Sequence, residues 1–134
     1  SSLGYDQGRL AMILAVLEAP AGVGFAGLDV YLNVAGGLRV TQPAADLAVA
    51  AALLSARQDT ALPPDAVLFG EVSLSGALRP TAQADARLRE AAKLGFAAAF
   101  APAGLRTGGP APLELHPVAD LAGFIEKCFG GIEG

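Results

Sequence analysis

A chain of 134 residues is long enough for one domain with a single two- or three-layer core. Its hydrophobic share of 53% is swollen by 29 alanines, and the apolar stretches at 10–17, 47–56 and 94–105 stop short of the roughly 20 residues that cross a bilayer, so no membrane span is expected. Nine basic against 13 acidic residues give a net charge of −4 that does not attract polyanions as a whole, and a single cysteine (Cys128) with a single histidine (His116) excludes a disulfide framework and Cys- or His-rich metal cages. No basic segment followed by an apolar run opens the chain, so an intracellular, cytoplasmic setting is expected. The start at Ser1-Ser2 without methionine suggests a piece of something longer.

Leu10, Ile13, Leu14 and Leu17 recur at i, i+3, i+4 and i+7, which predicts a helix with Asp6 as its N-cap and Pro20, Gly22 and Gly24 at its end. Leu28, Val30, Leu32 and Val34 alternate, the pattern of a half-buried strand, and Gly36-Gly37 turns the chain into residues 38–40. Pro43 opens a second helix running to about Arg57, so rich in alanine and leucine that most of its circumference is expected to be buried. Pro63-Pro64-Asp65 breaks it, and 66–69 form a short apolar run suited to an interior strand.

Ser75-Gly76 between 72–74 and 77–79 has the chemistry of a tight hairpin. Thr81 is the expected cap of a third helix ending near Gly95, followed by a strand over 96–101 and a Gly/Pro loop over 104–112. Residues 113–115 read as a short strand, and Pro117 as the start of a last helix with Val118, Leu121, Ile125 and Cys128 on its apolar face and Gly130-Gly131 as its stop. Alternating helices and short strands imply one α/β domain with a mixed sheet.

Isolated motifs carry little chemistry. Gly22-Val23-Gly24-Phe25-Ala26-Gly27 has the G-x-G-x-x-G spacing, but a helix precedes it and a strand follows, the reverse of the order that places a helix N-terminus against a pyrophosphate. No Walker A sequence is present, so the chain alone is not expected to hydrolyse ATP. His116, between a strand and a proline, reads as a helix-start or surface residue rather than part of a triad, and Cys128 as a small core hydrophobe. Asp59 and Asp65 flank a proline turn and read as solvated loop acids, while Asp29 and Glu71 read as surface or capping groups.

Longer segments carry a resemblance. Asp-Val-Tyr-Leu-Asn-Val-Ala-Gly-Gly at 29–37, Pro-Ala-Ala-Asp-Leu-Ala-Val-Ala at 43–50, Pro-Pro-Asp-Ala-Val-Leu-Phe-Gly-Glu-Val at 63–72, Leu-Ser-Gly-Ala-Leu-Arg-Pro at 74–80 and Arg-Leu-Arg-Glu-Ala-Ala-Lys-Leu-Gly-Phe at 87–96 together resemble the C-terminal domain of the bacterial RadA family, from residue 3 to about 129. That domain is similar to the proteolytic domain of Lon protease, so the resemblance implies a Lon-like α/β (α+β) fold with helices packed on a mixed sheet.

Lon-type peptidases use a Ser–Lys dyad, with the serine in Pro-Ser-Ala-Gly at a helix start and the lysine in the helix after a Leu-x-Gly-x-x-x-Pro segment. On this match Ala44 stands at the serine position and Asp85 at the lysine position; the two lysines present, Lys93 and Lys127, are elsewhere. A methyl group is no nucleophile and a carboxylate cannot act as a neutral amine, so no catalytic residue is expected. RadA as a family is a DNA-dependent ATPase of recombinational repair that drives branch migration as a hexameric ring. Its zinc and ATPase motifs are absent from this chain, so ATP, Mg and Zn are expected only in preceding parts of a parent protein, and none of them, nor any metal, in this chain.

The role implied is a homo-oligomer (hexamer) scaffold that contributes DNA contact, weak from this domain alone; the uneven cluster of Arg79, Arg87, Arg89 and Lys93, with Arg39 at one edge, is the candidate surface, and its alternative is an ordinary solvated helix face paired with Asp85 and Glu90. On a helix Arg89 and Lys93 are i, i+4 neighbours, whereas Arg87 points roughly 200° away from Arg89. The alternatives are an active Lon-type Ser/Lys peptidase and a purely structural interaction module that never touches DNA.

Overall fold

The computed structural model describes residues 6–24 and 43–130; the expected strands over 28–34 and 38–40, with Asp29 and Arg39, lie outside the described residues. Helix α1 (Gln7–Glu18) begins as its pattern predicts, with Asp6 accepting a hydrogen bond from the Arg9 amide at 3.0 Å, and it buries Ile13, Val16 and Leu17. A single 3₁₀ turn (Pro43–Ala45) leads into α2 (Asp46–Gln58), whose Leu47, Val49, Ala50, Ala51, Leu53 and Leu54 are all buried. Small alanines let this helix lie close to neighbours on several sides, as its composition predicts. It ends on Asp59 in the left-handed conformation, φ 48°, whose N–H closes onto Ser55 and Ala56 carbonyls.

Strand β1 (Ala66–Leu68), β4 (Ala98–Pro102) and β5 (Glu114–Val118) form a parallel sheet in the order β1-β4-β5, with Ala66 opposite Ala98 and Phe100 opposite His116. β2 (Glu71–Val72) and β3 (Leu78–Arg79) form a separate antiparallel ribbon whose tip turns at Ser75-Gly76, where Gly76 has φ +88°. The expected α/β class is therefore what the structure has, with parallel and antiparallel pairing both present.

The period of two along β4 sorts the core into two layers. Ala99 and Ala101 pack with Phe69 and Leu88 on the face covered by α3 (Ala84–Lys93). Phe100 faces the other way, into a larger cluster built by α1, α2 and α4 (Leu121–Phe129), including Leu17, Leu47, Leu54 and Phe124. Fully burying such a leucine or phenylalanine stabilises the fold by about 1.5–3 kcal/mol before entropy is counted. Among the described residues no helix is long and apolar enough to cross a membrane.

Three boundaries differ from expectation, each for a physical reason. Thr81 does not cap α3: residues 82–83 make a turn first, the N-cap is Gln83 at φ +59° without a side-chain bond, and Thr81 Oγ1 is buried with no partner among the described residues. Starting at Ala84 puts Ala84, Leu88 and Ala91 on the sheet at i, i+4 and i+7. Pro117 is not a helix start but lies within β5, opposite Ala101, in a strand at the end of the described sheet where a missing N–H is tolerated. Helix α4 instead starts after Asp120, whose carboxylate accepts from the Gly123 amide at 2.7 Å, so Val118 is a buried strand residue and Phe124 joins Leu121 and Ile125 on the helix face. The strand expected over 96–101 starts two residues later, at Ala98, because Gly95, at φ +94°, and the bond from Phe96 N to the Ala91 carbonyl finish the helix first.

The layers are joined at Asp46, which has no exposed surface. Its carboxylate accepts from Arg9 Nε at 2.9 Å and from Arg9 Nη2, and from the Val72 backbone N–H at 3.0 Å, so α1, the start of α2 and the β2 strand meet on one side chain. Glu71 Oε1 stands 4.0 Å from the same guanidinium. Replacing Asp46 by Ala leaves the Val72 N–H buried without an acceptor and Arg9 without its counter-charge, and is expected to lower unfolding stability by about 3 kcal/mol. Asp46→Asn, which keeps an acceptor oxygen, is expected to lose about half of that. Urea unfolding of the two variants, compared at constant m value, checks both the size and the order.

Candidate functional site

Ala44 sits in the turn before α2 and is buried. Its carbonyl accepts the Gly70 N–H at 2.8 Å, and the Gly70 carbonyl accepts the Leu47 N–H at 3.0 Å, so the turn is clamped to the chain leaving β1. Gly70 is required there: its φ is +156°, and a Cβ would stand 3.2 Å from the Pro102 ring. Two residues on, Asp46 has both of its carboxylate oxygens occupied by Arg9 and the Val72 N–H.

Asp85 lies in the first turn of α3 and accepts the Gly108 N–H, at 3.0 and 3.2 Å to its two oxygens. With Thr81, Ala84, Gly104 and Arg106 it lines a cleft of about 410 Å³. The two positions matched to a Ser–Lys dyad are thus held in different contacts, Ala44 by Gly70 and Asp85 by Gly108.

The cations divide sharply. Arg9 is spent on Asp46, and Arg57 Nε donates to the Gly24 carbonyl at 2.8 Å. Arg87 Nε donates to the Ala82 carbonyl at 3.2 Å, and its half-buried side chain lines a cleft of about 450 Å³ with Val67, Phe69, Glu90 and Leu94. Arg79 is exposed on β3, opposite Glu71 in the ribbon register. Arg89 and Lys93 are exposed on the side of α3 turned away from the sheet, one helical turn apart. Of the five basic residues expected to touch DNA, the structure brings Arg89 and Lys93 together, directs Arg87 to a different face and puts Arg79 on the ribbon; Arg39 lies outside the described residues. Arg106, exposed on the loop that bonds to Asp85, was missed because an aperiodic Gly/Pro loop offers no pattern from which to place a side chain.

The remaining chemical groups have structural partners. His116 stacks on Phe100 (centroids 4.8 Å, 17° between planes) with Glu114 Oε1 at 3.4 Å from Nε2. Among the described residues no group of three or more His, Cys, Asp or Glu is placed to hold a metal ion. Cys128 is half-buried on α4, and burial raises its thiol pKa above the ordinary value, with the neighbouring Lys127 charge pulling the other way. Alkylation of the folded chain by iodoacetamide is therefore expected to reach half its maximal rate at a higher pH than in the urea-unfolded chain. Rates measured across pH 7–10.5 check the displacement; a midpoint below the unfolded one contradicts it.

Comparison with known proteins identifies the family. Residues 9–104 match the family described as subunit ChlI of Mg-chelatase. The chain is 63% identical over 102 residues to a DNA repair protein RadA of Brucella abortus, covering 76% of this chain and 22% of that protein. It is 47% identical over 125 residues to a DNA repair protein RadA of Synechocystis (93% and 25%) and 43% over 124 residues to that of Treponema pallidum (92% and 27%). The chain thus spans about a quarter of the length of these curated relatives. The chain belongs to this ChlI domain family, in the form that DNA repair proteins named RadA carry.

Proposed function

We propose that the chain is a non-catalytic accessory domain of a cytoplasmic RadA-type DNA repair protein, a single Lon-like unit that supports a homo-oligomeric, hexameric ring and contacts DNA weakly. The observation that carries the DNA contact is the exposed Arg89–Lys93 pair on α3, in a chain 63% identical to a DNA repair protein. Two cations on one helix face bind backbone phosphates without reading bases, so the contact is non-specific and salt-dependent. The absence of peptidase chemistry is supported by Ala44, which offers only a methyl, and by Asp85, whose carboxylate is occupied by the Gly108 N–H. ATP hydrolysis, with its magnesium, and the zinc site belong in this proposal to the remainder of the parent protein, which also supplies recombination and branch migration.

Reversing Arg89 and Lys93 to Glu in the full-length protein is expected to weaken binding to single-stranded DNA and to reduce the salt slope by about 1.4, two contacts at about 0.7 each. Fluorescence anisotropy with a labelled oligonucleotide from 50 to 300 mM salt reads both quantities. Unchanged affinity and slope would leave a purely structural module as the better account. Cleavage of labelled casein by the purified chain, or labelling by a serine-reactive probe, would restore the peptidase alternative; neither is expected. Light scattering with and without single-stranded DNA tests the assembly.

A further inference from the structure

The loop over 104–112 is held to α3 at a specific point, Asp85, one helical turn before Arg89. Leu105 packs against the Phe69–Leu88 layer, and its N–H donates to the Pro102 carbonyl at 3.1 Å. Three residues later the Gly108 N–H donates to both Asp85 oxygens, and Thr107 Oγ1 donates to the Gly109 carbonyl at 2.9 Å. Arg106 is the residue between the two anchors, so its backbone is fixed on both sides while its side chain is exposed. Asp85, Arg89 and Lys93 follow one another at i, i+4 and i+8 on the outer face of α3, while Ala84, Leu88 and Ala91 face the sheet. Asp85 therefore ties the loop to the end of the stripe that Arg89 and Lys93 continue, and Arg106 lines the same cleft as Asp85. None of Arg89, Lys93 and Arg106 has a hydrogen-bond or ion-pair partner among the described residues, whereas Arg9, Arg57 and Arg87 all do.

We infer that Asp85 is a latch that holds the 104–112 loop on α3 so that Arg106 joins Arg89 and Lys93 in one phosphate-binding row along the DNA backbone. This inference rests on the DNA contact proposed above. A carboxylate one helical turn from Arg89 and in the same cleft as Arg106 weakens an anion site by its charge, so its presence there needs a positional role to offset that charge. The bond to Gly108 supplies one: the carboxylate fixes the loop through an N–H while leaving the guanidinium of Arg106 unpaired.

The test separates position from charge in the full-length protein. Arg106→Ala is expected to weaken single-stranded DNA binding about fivefold at 0.1 M salt and to lower the salt slope by about 0.7, one phosphate contact. Asp85→Asn keeps an oxygen to accept the Gly108 N–H and removes the charge, so it binds at least as tightly as the unaltered protein. Asp85→Ala loses the latch: hydrogen exchange at the Gly108 amide speeds up, and a further Arg106→Ala change then has little effect. If Asp85 acted only as a repelling charge, Asp85→Ala would tighten binding and leave the effect of Arg106→Ala whole, which would overturn the inference. Unchanged Gly108 exchange in Asp85→Ala would overturn it equally, with no DNA needed. A loss on reversing Arg89 and Lys93 without any loss in Arg106→Ala defeats this inference alone; no loss in either set defeats the DNA contact as well.

Discussion

A buried carboxylate is the constraint around which this fold is arranged. Asp46 has no access to water, and a charge in that position is tolerable only if every lone pair is met. Its partners come from far apart in the chain, the Arg9 guanidinium from α1 and the Val72 amide from the ribbon. The helix it opens adds its own dipole, since a negative charge is favoured in a first turn whose amides point outward. Because Asp46 follows Ala44 by two residues, the same turn also fixes Gly70 against Pro102 and so sets where β1 leaves the sheet. The strength of such a joint lies in specificity more than in net energy: a wrong register of α1 or of the ribbon leaves a charge unpaired, whereas a wrong register of an alanine-rich helix face leaves only a small change in buried area.

That distinction explains what was legible in the sequence. Helix α1, the span of α2, the ribbon turn and the stop at Gly95 follow from local signals: periodicity, a capping carboxylate, a glycine at positive φ. The errors came where a local signal competed with packing. Pro117 is as good a helix opener as a proline can be, yet the sheet takes it because His116 and Val118 on either side have Phe100 and the larger core to face. Thr81 has the right chemistry for a cap, but residues 82–83 form a turn and Gln83 takes φ +59°, so the backbone becomes helical only at Ala84. The Arg9–Asp46 pair was not readable at all, since 37 residues separate the partners and nothing in either segment points to the other.

The candidate site shows the same division. The helical angle between Arg87 and Arg89 follows from 3.6 residues per turn, and the structure has the two on different faces as that angle requires. Which cations stay unpaired is a tertiary fact: Arg57 finds the Gly24 carbonyl and Arg87 the Ala82 carbonyl, and neither bond is implied by spacing alone. Arg106 lies in a loop whose position is set by one hydrogen bond to a side chain on another element, the kind of contact that composition and period do not encode.

The overall charge and the local row then act over different distances. A net charge of −4 repels a polyanion at long range, so the chain by itself gains nothing from electrostatic steering. At physiological ionic strength the screening length is about 8 Å, so what a phosphate beside α3 would feel is set by the local charges, Arg89 and Lys93 with Arg106 on the neighbouring loop, against Asp85 and Glu90 on the same helix. A surface of this kind gives weak contact when free and useful contact when something else has already brought the DNA close. On the proposed reading, a unit covering about a quarter of each RadA relative would leave the encounter with DNA to other segments and add only a few phosphate contacts of its own. Under that proposal an acidic body with a few exposed cations suits an accessory role, since it would bind little DNA away from the parent protein and add to binding only where the parent already holds the strand.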